Sequence, residues 1–300
     1  MTDNLPKQRD LIDPRTNWAA LSRANRDAAY DNNAAVKNSP ALIAERNEVS
    51  AKLRASRKSF LDIPYGDRER TKIDIYPAAE ATARCLVFVH GGYWQRNSRE
   101  LFAMLVEGIA EHGWSVAIPG YSLAPEASLT QITTEIRQAL DWLDGSGHSY
   151  GVTGPVVLSG WSSGAHLTAM ALDHPRVASG LAISGVYDLA PIRDTGLNNA
   201  LKLTDAEVTQ LSPLRLPIVN KRLDIAYGTA ELPALVLDSI RFHELRAAAN
   251  APGKLFPIEN ADHFSILDEL RRPDGALVDI VRQLVGQRFT ASSRPRSSAA

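Results

Sequence analysis

Gly160-Trp161-Ser162-Ser163-Gly164 sits between an apolar run, Pro155-Val156-Val157-Leu158-Ser159, and a helix-like run, Ala165-His166-Leu167-Thr168-Ala169-Met170-Ala171-Leu172. A strand, a sharp Gly-flanked turn centred on Ser162 and a following helix make the layout of a nucleophile elbow. The glycines let strand and helix backbones approach closely and leave room for a strained turn that pushes the Ser hydroxyl outward. A Gly-x-Ser-x-Gly pattern arises by chance in about one chain in ten of this length. The neighbouring sequence has to decide.

Outward from that segment, apolar runs alternate with helical ones. Residues 60–65 and 72–76 read as two strands flanking a Gly66-Asp67 turn. Cys85-Leu86-Val87-Phe88-Val89 is continuously apolar, as a parallel strand buried on both faces should be. Further strands are expected at 114–119, 181–184, 223–227 and 254–258, with helices at 101–112, 132–143, 234–249 and 277–285. Two opening strands followed by repeated strand–helix units predict an α/β fold. It is a mostly parallel, eight-stranded sheet with helices on both faces.

Three regions stand outside that rhythm. Residues 1–58 are helical and polar, with Ser39-Pro40 as a helix start, and are expected to wrap over the core or cover a site. Residues 59–290 form the catalytic domain, and within it residues 189–217 read as a small cap insertion over a pocket. Residues 291–300 lack apolar periodicity and are expected to be a disordered tail.

Composition narrows the partners. The chain has 300 residues, 44% of them hydrophobic, with 33 basic and 34 acidic side chains and a net charge of −1. No field of one sign favours nucleic acid or an anionic membrane. The single cysteine, Cys85, excludes an internal disulfide and a multi-Cys metal site. No run approaches the length of a membrane span and the N-terminus has no apolar leader, so a cytoplasmic protein is expected. No metal or other cofactor is expected. There is no His-Glu-x-x-His, and the Gly-rich stretch at 145–151 precedes a strand instead of opening a helix. A homodimer is left open.

A serine hydroxyl needs a base, a group that orients the base, and donors for the oxyanion. His90-Gly91-Gly92-Tyr93-Trp94 directly follows the strand at 85–89, where glycines free backbone N–H groups to face a substrate oxygen. The oxyanion donors are therefore read as Gly91, Gly92 and, after the nucleophile, Ser163. Of seven histidines, only His263 follows the final strand in a short polar loop, which makes it the base. Glu231 is the first carboxylate after the strand at 223–227, and the order Ser162, Glu231, His263 is the α/β-hydrolase order. Asp238, in the next helix, is the alternative acid. Tyr93, Trp94, Trp161, Tyr187 and Phe264 flank these motifs and are candidates for an aromatic pocket, with at least two expected to pack the core instead.

Over about residues 59–290 the sequence resembles the kynurenine formamidase (arylformamidase) family, within the hormone-sensitive-lipase-like esterases. His90-Gly91-Gly92-Tyr93-Trp94 matches that family's HGGYW motif. Tyr121-Ser122-Leu123-Ala124-Pro125-Glu126 and Ser184-Gly185-Val186-Tyr187-Asp188-Leu189 resemble two further segments of it. Glu231, Pro233 and Ser239 fall in register with its D-x-P…S stretch, and His263 follows Glu231 by 32 residues, which also suits the family. The chain departs from it in having Glu at 231 for the usual Asp, and Trp161 before the nucleophile for the usual His. The resemblance implies a serine hydrolase acting on a small aromatic amide such as N-formylkynurenine. Alternatives are a carboxylesterase for small aryl or short-chain acyl esters, and a non-catalytic ligand-binding homologue.

Overall fold

The computed structural model describes residues 13–284, so the expected tail at 291–300 lies outside the described residues. A 3-10 stretch, Pro14–Ala20, leads to three helices, α1 (Arg23–Ala28), α2 (Asn32–Ala35) and α3 (Ser39–Ser56). The helical character expected of residues 1–58 is interrupted here. Asn17 breaks it with non-helical dihedrals, and Ser22 and Asp31 start new helices by capping with their side chains.

The strands β1 (Phe60–Pro64), β2 (Lys72–Tyr76) and β3 (Cys85–Val89) follow. A second 3-10 stretch, Arg99–Leu105, runs into α4 (Val106–Ala110), where one continuous helix was expected. Then come β4 (Ser115–Pro119), α5 (Leu129–Ser146), β5 (Val156–Trp161), α6 (Ser163–Met170) and β6 (Val177–Ile183). Residues 189–217 carry α7 (Ala190–Arg193), α8 (Asn198–Leu201) and α9 (Asp205–Gln210). The chain closes with β7 (Leu223–Gly228), α10 (Pro233–Ala248), β8 (Leu255–Ile258), α11 (Asp268–Arg271) and α12 (Ala276–Gln283).

The eight strands form one sheet in the order β1-β2-β4-β3-β5-β6-β7-β8. Only β2 runs against its neighbours β1 and β4; every other pairing is parallel. The period-2 alternation of a strand splits its residues between two cores. Cys85, Val87 and Val89 pack with α5, α6 and α10 on one face. Leu86 and Phe88 pack with α4 and α12 on the other. That is why β3 could be written without a polar residue. β3 and β5 are the two central strands, and the loops leaving them lie side by side.

The N-terminal segment buries Tyr30, Val36 and Leu53 in the two cores and is also held by polar ties. Trp18 Nε1 donates to Asp194 at 2.9 Å, Asp27 accepts the N–H of Gly196 at 2.6 Å, and Arg15 pairs with Asp238. Among the described residues no helix is long and apolar enough to cross a membrane.

Candidate active site

Ser162 occupies the turn between β5 and α6 with φ 58° and ψ −122°, a left-handed conformation that a side chain rarely adopts. The turn is tight because Gly164 lies against β3: a Cβ there would stand 2.1 Å from the carbonyl oxygen of Val89. Ser162 Oγ donates to His263 Nε2 at 3.1 Å. His263 Nδ1 in turn donates to Glu231 Oε2 at 3.0 Å, which selects the tautomer able to accept the Ser proton. The three side chains come from three separate loops and are all buried.

Glu231 is itself held. Its Oε1 accepts from the N–H of Gly228 at 2.7 Å and from the hydroxyl of Ser184, just past β6. Ser184 is the first residue of the segment quoted for the family resemblance, and its contact with Glu231 was not foreseen. Asp238, the alternative acid, does not meet His263. It accepts from the Arg15 guanidinium and from the N–H of Tyr187, and burial pushes its carboxyl up against the pull of Arg15.

The loop after β3 lies beside Ser162. A Cβ on Gly91 would stand 2.6 Å from the carbonyl oxygen of Trp161 and 2.9 Å from Ser162 Cβ, so only Gly lets this loop so near. The N–H groups of Gly91, Gly92 and Ser163 find no acceptor among the described residues. The loop is braced by Asn97 Nδ2, which donates to the carbonyl oxygen of Gly91 at 3.0 Å. His90 stacks on Tyr121 with ring centroids 4.2 Å apart, and burial lowers its pKa to about 4, so the ring is neutral packing. His166 behaves alike: burial lowers it to about 4, and its Nε2 lies 2.6 Å from the carbonyl oxygen of Leu211. It thereby joins α6 to the 189–217 segment.

Residues 73–175 match the BD-FAE family. The chain is similar to kynurenine formamidase of Danio rerio, 26% identical over 297 residues, covering 91% of this chain and 99% of that one. It is also similar to kynurenine formamidase of Salmo salar, 26% identical with coverages of 80% and 86%. A crystal structure from Silicibacter sp., provisionally assigned as a thioesterase, superposes with a TM-score of 0.76 at 29% identity, covering 85% of this chain and 98% of that one. The chain is an α/β-hydrolase related to the kynurenine formamidases. The resemblance drawn from the sequence and the expected fold class are both borne out, and the protein is a serine hydrolase.

A cavity of about 900 Å³ opens over Ser162 and His263 in this α/β-hydrolase. Of the five aromatic candidates, Tyr93, Trp161 and Phe264 line it. Trp94 and Tyr187 do not, which corrects their assignment to the pocket. Trp94 packs edge-on against His166 at 5.0 Å and Tyr187 stacks on Phe242 at 4.5 Å, both within the core. The opposite wall was missed residue by residue. It comes from the N-terminal segment, with Tyr30, Asn32, Pro40 and Ile43, and from Leu197 in the 189–217 segment. The signal was the polar, helical composition ahead of the first strand, which suggested a cover without naming its inner face. Among the described residues no group of three His, Cys, Asp or Glu is placed to hold a metal ion.

Proposed function

We propose that this hydrolase cleaves the formyl amide of an N-formyl aryl amine, such as N-formylkynurenine, with Ser162 as nucleophile, His263 as base and Glu231 as its orienting acid. The observation that carries the reading is the unbroken hydrogen-bond chain Ser162–His263–Glu231, whose first two members line a cavity together with Tyr93, Trp161 and Phe264. Kinship with two kynurenine formamidases over most of the chain supports the substrate class.

Ser162 Oγ attacks the formyl carbon as its proton passes to His263 Nε2. Glu231 stabilises the imidazolium without taking the proton. The N–H groups of Gly91, Gly92 and Ser163 receive the charge on the carbonyl oxygen, and one such donor is worth about 3 kcal/mol of barrier. His263 then protonates the leaving nitrogen, the C–N bond breaks, and a formyl ester remains on Ser162. Water, deprotonated by His263, releases formate.

Similarity to the Silicibacter protein, provisionally assigned as a thioesterase, favours a second reading in which an ester and not an amide is cleaved, such as a small aryl or short-chain acyl ester. A comparison of kcat/KM for N-formylkynurenine with matched aryl acetates separates the two. A formamide rate far below the ester rate rejects the first. Ser162→Ala should abolish turnover of both while leaving the protein folded, and wild-type rates in that variant would overturn the nucleophile.

A further inference from the structure

Trp161, the residue before the nucleophile, is turned toward the base. Its indole N–H donates to the backbone carbonyl oxygen of His263 at 2.9 Å, spanning 102 residues of sequence. Its ring stands 4.7 Å from the imidazole, centroid to centroid, with the planes 34° apart. Phe102 and Phe264 hold the indole from two other sides at 6.0 and 5.9 Å. The whole side chain is 5% exposed.

We propose that Trp161 is a positioning residue for His263: its N–H fixes the backbone of the base, and its ring face stabilises the imidazolium formed when Ser162 gives up its proton. The proposal rests on the catalytic reading of Ser162 and His263 given above. Both side-chain bonds of His263 are made at its ring, so neither fixes the loop that carries the ring. The Trp161 bond does. Because Trp161 and Ser162 are consecutive, this bond couples the backbone of the base directly to that of the nucleophile. Misplacing a reacting group by about 1 Å can cost roughly 100-fold in rate.

The ring contributes separately. An aromatic face within about 6 Å of a cation attracts it through the ring quadrupole, and the neutral imidazole gains little from the same contact. The stabilisation therefore arises as the proton is transferred. The charged groups around His263 stay constant when Trp161 is changed. Glu231 bonds Nδ1 at 3.0 Å, Asp262 accepts the N–H groups of Phe264 and Ser265 at 2.8 Å each, and Arg46, on the cavity wall, pairs with Asp268 at 2.9 Å.

Two variants separate the contributions. Trp161→Phe keeps a ring and loses the N–H; Trp161→Leu keeps apolar burial and loses both. With an activated aryl ester, Trp161→Phe should lower kcat about 3- to 10-fold and leave the acid limb of the pH–rate profile in place. Trp161→Leu should lower kcat further and move that limb about one pH unit lower, because the imidazolium has lost its support. The same movement should appear in the imidazole NMR titration of His263 in Ser162→Ala protein, where no turnover is needed. An acid limb and a titration unmoved in Trp161→Leu would overturn the ring's role, and full kcat in Trp161→Phe would overturn the tether. A raised KM with unchanged kcat in both would reduce Trp161 to a cavity wall. Retained activity in Ser162→Ala would instead overturn the proposed function, leaving the titration to decide for Trp161.

Discussion

Tyr93 donates its hydroxyl proton to the backbone carbonyl oxygen of Tyr30, 2.8 Å away. The Tyr93 hydroxyl oxygen in turn accepts from Asn32 Nδ2 at 3.0 Å. One side chain of the loop beside Ser162 thus holds the N-terminal segment at two points. Tyr93→Phe leaves Asn32 Nδ2 without a bond inside the protein and the Tyr30 carbonyl oxygen with the Asn32 N–H alone, a loss of about 1–3 kcal/mol. Calorimetry should show a lower melting temperature, by about 2–6 °C for a chain of this size. An unchanged melting temperature would mean that water replaces the hydroxyl at no cost.

The Arg15–Asp238 pair makes a sharper demand. Asp238 is wholly buried, and Arg15 reaches it from the far end of the chain. Arg15→Ala leaves a buried carboxyl whose charge is no longer met, which should destabilise by about 3–5 kcal/mol. Adding Asp238→Asn removes the unmet charge and should restore part of that loss. Urea unfolding of the two single variants and the double variant measures the coupling. Strictly additive losses would show that the pair is not coupled.

At the acid, Glu231→Gln preserves shape but lets the imidazole settle in the wrong tautomer. The expected drop in kcat is about 10³- to 10⁴-fold with the fold intact. Ser184→Ala removes only one support of Glu231 and should cost far less. Steady-state kinetics on an activated ester, with circular dichroism as the control for folding, ranks the two. The reverse ranking would move the acid's role away from Glu231.

Buried histidines set a pH window for stability. Burial lowers His90 and His166 to about 4 each, whereas a His in an unfolded chain takes its proton near pH 6.5. Between those values the unfolded chain binds more protons. Stability is then complete above about pH 6.5 and is lost as pH falls toward 4, by several kcal/mol for the two together. Denaturant midpoints at neutral and mildly acidic pH measure the slope, which His166→Asn should reduce. A midpoint constant over that range would contradict the burial of both rings.

The legible parts of the molecule are those in which sequence pattern and environment coincide. The run at 85–89 has no polar residue because both faces of β3 are covered. The elbow is legible because Gly164 is forced: a Cβ there would stand 2.1 Å from the Val89 carbonyl oxygen. The N-terminal segment was legible only as helical and polar. Its breaks at Asn17 and near Ser22 accompany ties to Asp194, Gly196 and Asp238, partners that no local window contains. Trp94 and Tyr187 misled for a related reason. An aromatic residue beside a motif has a known size, but its direction depends on the neighbouring layer, here His166 and Phe242.

The ties of the N-terminal segment also order events in time. Trp18, Asp27 and Arg15 reach partners 176, 169 and 223 residues later in the chain. During synthesis this segment emerges first and waits, because its docking surface exists only once the chain through α10 has been made and packed. The reacting groups can assemble on the sheet before that. The segment over the cavity is made well before the surface it docks on and can be put in place only after it.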